Sequence, residues 1–342
     1  MKNIKFYIRN TVKSILLIYD LIRFRVTGKS PSGKYHLLLN SFYVFGGVLN
    51  NFGSLLLRTK KLNFNPSEGI LSKFSANDIH SASKFLRQNG YVVLENVLDE
   101  SQCESFLKMS LDITGINREM DSNQNQVYEG RYNRENPTSN RFEYDSTTLV
   151  NQIEVQKILS DESLLSFAQE YLGGAPTIDI IHMWWHAPFQ IEADKNAAQW
   201  FHFDMERVRW IKFFFYITDV DTDSGPHTFI PRTHRVWGIP SSLRKKGYVR
   251  LSDEEVDSNF PKNSWKEFTG KRGTLIVEDT RGLHKGKHCI SGDRLVFQTE
   301  YTVSNYGAKV NPPKLEVKNT SPELGRALMK YPIVFSMIEV IN

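Results

Sequence analysis

The stretch QWFHFDMERVRWIKFFFYITDV, residues 199–220, sets a His-x-Asp pair at the head of a long apolar run. The run is rich in aromatic and branched side chains and reads as a strand. Side chains alternate along a strand, so His202 and Asp204 point to one side and Phe203 to the other. An imidazole and a carboxylate on adjacent inward positions can hold two corners of a metal's coordination sphere. A His-x-Asp string alone is common by chance, so the rest of the chain has to supply the other corners.

Strand texture continues on both sides. TIDIIHMWWH (177–186), GTLIVED (273–279) and RLVFQTEYTVS (294–304) read as strands, separated by turns such as DTDSGP (221–226) and ISGD (290–293). Upstream, SANDIHSASKFLRQNG (75–90), DESQCESFLKMSLDI (99–113) and DESLLSFAQEYLGG (161–174) read as helices, with the strand YVVLENVL (91–98) between the first two. Helices followed by a run of strands predict a mainly β fold with flanking helices, an antiparallel sandwich or barrel behind a helical layer. The polar stretch 118–146 reads as a long loop of the kind that forms lids. Residues 238–272 read as an insertion over one mouth of the barrel.

His284 follows the strand GTLIVED and the short turn TRG, and is the candidate third ligand; His288 is equally available by spacing. Two histidines and one carboxylate make the facial triad of non-haem iron enzymes, with three positions left open for a chelating cosubstrate and oxygen. Ten residues on, Arg294 opens an inward-facing strand. A buried guanidinium is costly unless an anion meets it, and it grips a carboxylate through two parallel hydrogen bonds. The far carboxylate of 2-oxoglutarate would suit it.

With these residues in place, the chain resembles the phytanoyl-CoA dioxygenase family. The resemblance runs from about residue 76 to 303. It rests on NGYVVLENVLDESQCESFL, on HFD, on FFFYITDVDTDSGPHTFIPRTHR, and on GTLIVEDTRGLHKG followed by the arginine. It implies a double-stranded β-helix, the cupin-like jelly roll. Carried over residue by residue, it implies iron(II) on His202, Asp204 and His284, and 2-oxoglutarate on Arg294, with O2 as oxidant. Three positions depart from the family pattern. Phe203 stands where the family often has Gln, PRTH (231–234) replaces PGSH, and His227 replaces a small apolar residue. Related halogenases lose the carboxylate; Asp204 is present, so hydroxylation of an unactivated C–H bond is the expected outcome. The substrate expected is a small molecule or a lipid-linked one, and no nucleic acid. The competing class is a jelly-roll binding or sensing protein without turnover, against which the intact triad and Arg294 argue.

Other side chains carry weaker expectations. His182, Trp184 and His186 share a face and either line the pocket or pack within the sheet. Lys212 needs a partner if buried; a snorkelling edge position is the default. His234 is expected to make a structural hydrogen bond near the site mouth. Arg131, Arg134 and Arg141 either greet an anionic substrate or are solvated. The aromatic run FFFYI and Trp184–Trp185 are expected to form a dry wall.

Charge divides the chain. Residues 1–61 hold eleven basic residues and one acid, Asp20, which is +10; the whole chain carries +5, so the rest carries 5 − 10 = −5. A break near TKKLNFNPSEG (59–69) separates a basic helical extension, 1–65, from the oxygenase-like domain, 66–342. The start lacks a small-residue cleavage site, and Asp20 and Arg23 interrupt or follow its short apolar run, which argues against a cleaved signal. The 21 uncharged residues 37–57 are long enough to span a bilayer, but three Asn and three Gly argue against it. Two readings stay open for the extension: peripheral contact with an anionic membrane, or packing on the body of the protein. Cys103 and Cys289 are too few for a disulfide framework, so a cytoplasmic setting is expected, peripheral at the inner membrane face if the extension binds lipid.

Overall fold

The computed structural model describes residues 2–29, 35–117, 129–189, 198–247 and 249–342. Helices α1 (Lys2–Thr27), α2 (Tyr35–Phe45) and α3 (Val48–Leu57) open the chain. The uncharged run 37–57 is broken in two, because Gly46 and Gly47 take left-handed φ values of 54° and 96°. No helix among the described residues is long and apolar enough to cross a membrane. Instead Leu38, Leu39, Phe42 and Leu57 join the main hydrophobic core.

Next come α4 (Ala76–Asn89), β1 (Tyr91–Leu94) and α5 (Glu100–Asp112). Both helices start at reciprocal capping boxes, Ser75 with Asp78 and Asp99 with Gln102. Strand β2 (Gly115–Asn117) leads into the stretch expected as one long loop, which contains strands β3 (Glu129–Gly130) and β4 (Arg141–Tyr144). Its residues 118–128 lie outside the described part. Three helices follow: α6 (Ser146–Val150), α7 (Ile153–Leu159) and α8 (Glu162–Leu172).

The second half runs β5 (Thr177–His186), β6 (Trp210–Tyr216), β7 (His227–Phe229), α9 (Ser241–Arg244), α10 (Asp253–Asp257), β8 (Lys266–Phe268), β9 (Leu275–Glu278), β10 (His284–Gly286) and β11 (Arg294–Thr302). The chain closes with β12 (Lys314–Glu316), α11 (Pro322–Lys330) and β13 (Glu339–Ile341). One sheet has the order β1-β9-β6-β11-β5-β4-β2-β3, and a smaller one β10-β7-β8. The segment 201–204 is not a continuous strand, but its His202 bridges to His284 and so borders β10. Counting β5, this segment and β6 to β11 as one to eight, the larger sheet reads 6-3-8-1 and the smaller 2-7-4-5. Apart from the hairpin β7–β8, successive strands thus cross between two facing antiparallel sheets, which is the double-stranded β-helix.

Alternation along the strands decides what each face meets. Trp184, Phe214, Tyr216, Ile276 and Val296 face the smaller sheet and pack with its Phe229 and Phe268. Their neighbours face the helices: Phe213 packs on Phe167 of α8, and Phe297 on Phe106 of α5. The run FFFYI is therefore not one wall. Only Phe214 and Tyr216 line the barrel interior, as does Trp184 but not Trp185.

Candidate metal centre

The backbone brings the two histidines together. His202 N–H donates to the His284 carbonyl and His284 N–H to that of His202, both at 2.9 Å. This single antiparallel bridge sets the imidazole ring centres 4.2 Å apart. Two residues on, Asp204 N–H donates to the Thr280 carbonyl at 2.8 Å, which turns its carboxylate to the same place. One ligand atom from each of His202, Asp204 and His284 lies within 4.8 Å of the others, and all three residues are buried. Asp204 Oδ1 is 3.9 Å from His202 Nε2, and Oδ2 is 3.6 Å from His284 Nε2. Two ligand atoms about 2.1 Å from one ion can be no more than about 4.2 Å apart, so both separations suit a shared ion. His288, the rival by spacing, is not in the cluster; its Nδ1 lies 3.1 Å from Gln199 Oε1.

Hydrogen bonding sets which nitrogen of each ring carries the proton. Nδ1 of His202 lies 3.0 Å from the Trp200 carbonyl, and Nδ1 of His284 3.0 Å from that of Gly282. A carbonyl only accepts, so Nδ1 carries the proton and Nε2 keeps its lone pair. Burial pushes His202 well down and His284 to about 4, so both rings are neutral near pH 7. Burial alone would raise Asp204. The Lys212 ammonium, with the two imidazoles, instead holds it well below the usual carboxylate range.

Lys212 corrects the expectation of a snorkelling edge residue. β6 is a central strand, and the buried ammonium lies 2.6 Å from Asp204 Oδ2 and 3.5 Å from Glu300 Oε2. Lys212 stands directly across from Glu300 on β11 and from Glu278 on β9. Acid, lysine and acid thus form one cross-strand row. Burial lowers the lysine, but Asp204 and Glu300 more than offset this and hold it above its usual value. Burial also pushes Glu278 up to about 8. His227 Nε2 lies 2.9 Å from Glu278 Oε2 without hydrogen-bond alignment. The His227 ring packs between those of Phe214 and His284, at 4.9 and 5.6 Å.

A clamp fixes the turn that delivers His284. Arg281 donates to both oxygens of Asp279, at 2.8 and 2.5 Å, and Tyr171 of α8 donates to Asp279 at 2.5 Å. Arg281 also reaches Asn51 of α3, at 3.3 Å. The other side of the site leans on α2, whose Phe42 ring lies 5.0 Å from that of Phe203. Phe203, one of the departures from the family pattern, thus has an apolar partner in the N-terminal extension.

Arg294 lies at the head of β11 and is 1% exposed. Its Nη2 meets His186 Nδ1 at 2.5 Å, and it interacts with the Tyr216 hydroxyl. Its Nε and Nη1 make no hydrogen bond, and among the described residues no carboxylate pairs with it. A Cβ added at Gly286 would come within 3.4 Å of Nη2, so only bare backbone flanks the guanidinium there. A buried cation with open donors fits an anionic ligand.

The remaining expectations divide. His186 partners Arg294, Trp184 lines the interior, and His182 lies 3.6 Å from Glu143. Arg134 is held in a two-point ion pair by Asp293, and Arg141 pairs with Glu143 and stacks over Trp184, while Arg131 is exposed. His234 makes the structural bond expected, to the Arg87 carbonyl at 3.2 Å. The sequence reading did not single out Glu278, Glu300, Asp279, Arg281 or Phe42. A signal for the first two existed: each is an acid closing or interrupting an apolar strand.

Solved structures that this chain matches include a non-haem, α-ketoglutarate-dependent epimerase, SnoN, from nogalamycin biosynthesis. It is 14% identical over 67% of this chain and 84% of its own, with a TM-score of 0.47. HygX from Streptomyces hygroscopicus, solved with nickel and 2-oxoglutarate, is 14% identical over 71% and 92%, with a TM-score of 0.45. AviO1 from Streptomyces viridochromogenes Tue57 is 13% identical over 67% and 96%, with a TM-score of 0.43. No curated protein matches the sequence. The family model described as phytanoyl-CoA dioxygenase matches residues 86–295, more than half of the chain and inclusive of His202, Asp204, His284 and Arg294. The chain belongs to the phytanoyl-CoA dioxygenase family of iron(II)- and 2-oxoglutarate-dependent oxygenases.

Proposed function

We propose that this oxygenase hydroxylates an unactivated C–H bond of a small-molecule substrate, with His202, Asp204 and His284 holding iron(II) and Arg294 holding 2-oxoglutarate. The observation that carries the reading is the convergence of three buried ligand atoms near a buried arginine with open donors. When bound, the ferrous ion and 2-oxoglutarate activate dioxygen: the keto acid is oxidised to succinate and carbon dioxide, and one oxygen atom enters the substrate. The protein's own residues do the rest. The Trp200 and Gly282 carbonyls keep both Nε2 atoms unprotonated and aimed. Lys212 donates to Asp204 Oδ2 and holds the carboxylate facing the two imidazoles. Arg294 supplies a buried positive charge with open N–H donors for the far carboxylate of the keto acid. Trp184, Phe214 and Phe229 exclude water from the interior.

Anaerobic titration of the full chain with iron(II) and 2-oxoglutarate tests this reading. A visible charge-transfer band that needs both components, and that is lost in His202→Ala and in Arg294→Met, is the expected result. Absence of the band in the intact protein sinks the proposal.

A further inference from the structure

Helix α1 has two apolar faces, and among the described residues only one of them has a partner. Leu17, Leu21 and Phe24 are buried on the inner face. Phe24 meets Tyr306 edge-on at 5.3 Å, and Leu21 lies where a Cβ at Gly53 of α3 would touch it. On the outer face Ile8, Val12, Ile15, Tyr19, Ile22 and Val26 are between 50% and 80% exposed. At about 100° per residue these six fall within an arc of about 80°, opposite the buried three. From Ile8 to Val26 the stripe is about 27 Å long. Isolated exposed apolar side chains are ordinary, but a continuous stripe of this length marks a surface that is covered in use.

Charge indicates the cover. Arg9 and Arg23 border one edge of the stripe in projection and Arg25 the other, and all three are exposed. Arg58, Lys60 and Lys61 add exposed cations just beyond α3. The one acid in residues 1–61, Asp20, is buried and faces the Tyr306 hydroxyl. A second copy of this chain would bring two cationic stripes together and repel itself. A phospholipid surface of negative charge would accept the apolar stripe at the acyl boundary and the arginines at the headgroups.

We infer that the outer face of α1 docks on an anionic lipid bilayer and holds the oxygenase at its surface. The inner face stays on the body of the protein, so no span is formed and the barrel remains outside the membrane. The inference stands apart from the assignment of the metal site, and a failure of either leaves the other untouched.

Sedimentation of the full chain with vesicles tests it. Vesicles of phosphatidylcholine alone are compared with vesicles of phosphatidylcholine and phosphatidylserine, at low and at moderate salt. Pelleting with the anionic vesicles, weakened by salt and nearly absent with the neutral ones, is the expected result. The double variant Ile15→Asp, Ile22→Asp is expected to lose at least tenfold in partitioning. Arg9→Glu with Arg23→Glu is expected to lose about fivefold or more per charge. These positions are exposed, so thermal unfolding should match wild type. Equal pelleting with both vesicle types, or none with either, overturns the inference. So does a concentration-dependent dimer in light scattering that the Ile15→Asp, Ile22→Asp variant abolishes, since the stripe then covers itself.

Discussion

Lys212 holds its ammonium 2.6 Å from Oδ2 of Asp204, inside the barrel and directly across the sheet from Glu300. The carboxylate proposed as a metal ligand is therefore neutralised in part by the protein before any ion arrives. Removing one partner of a buried pair costs about 3–5 kcal/mol, because the other charge is left unpaired. Lys212→Met is expected to destabilise the metal-free protein by about that amount at pH 7. Lys212, with the imidazoles, holds folded Asp204 below its unfolded value, so this stability is present above about pH 4 and fades as pH falls through the folded value. The variant's deficit should shrink at pH 3.5 and also with saturating iron(II). Denaturant unfolding at the two pH values, with and without metal, checks both points. A deficit independent of pH and metal would show that Lys212 merely packs.

Glu278 gives the opposite sign. Burial raises its folded value to about 8, above the unfolded value of 4.5, so the folded protein holds a proton that the unfolded chain releases. Stability contributed by that proton is full below about pH 4.5 and is lost as pH rises to about 8. Glu278→Gln removes the titration. Relative to wild type it should gain up to about 1.4 kcal/mol per pH unit between pH 5 and 7.5. Urea unfolding of the metal-free proteins across that range measures the gain, and parallel stability curves would contradict it.

Arg294→Lys keeps the charge but loses the planar fork. Weakened 2-oxoglutarate binding by about a hundredfold, equivalent to about 3 kcal/mol, is expected, with iron(II) affinity little changed. Calorimetric titration of each component separately reads the split. An equal loss in both would mean that the substitution disturbs the fold around β11, not a cosubstrate contact.

Phe42 supports the segment of the proposed ligands His202 and Asp204 from behind, through Phe203. Phe42→Ala should destabilise the protein by about 3 kcal/mol and also weaken iron(II) binding, although Phe42 touches no ligand. Phe42→Leu should restore most of both. Stability loss with unchanged metal affinity would separate the extension from the site.

Much of this was legible in residues 177–302, where period-two alternation and turn chemistry sort the strands, and where His-x-Asp, a later histidine and an arginine stand in order. Fold and family follow from those. The site's electrostatics were less legible. Lys212 read as an edge cation because its partners, Glu278 and Glu300, stand 66 and 88 residues away, and only strand register sets them opposite it. The 37–57 run read as one segment because hydropathy does not register the left-handed turn at Gly46–Gly47. The aromatic run 213–217 read as one wall because its two faces look alike in sequence, whereas one meets helices and the other the interior.

Anomalous diffraction at the iron edge, from crystals grown anaerobically with iron(II), bears most directly on the proposed centre. One strong peak within about 2.3 Å of Nε2 of His202, Nε2 of His284 and a carboxylate oxygen of Asp204 is the predicted result. A peak held by other side chains, or none at that position under saturating iron(II), would contradict it.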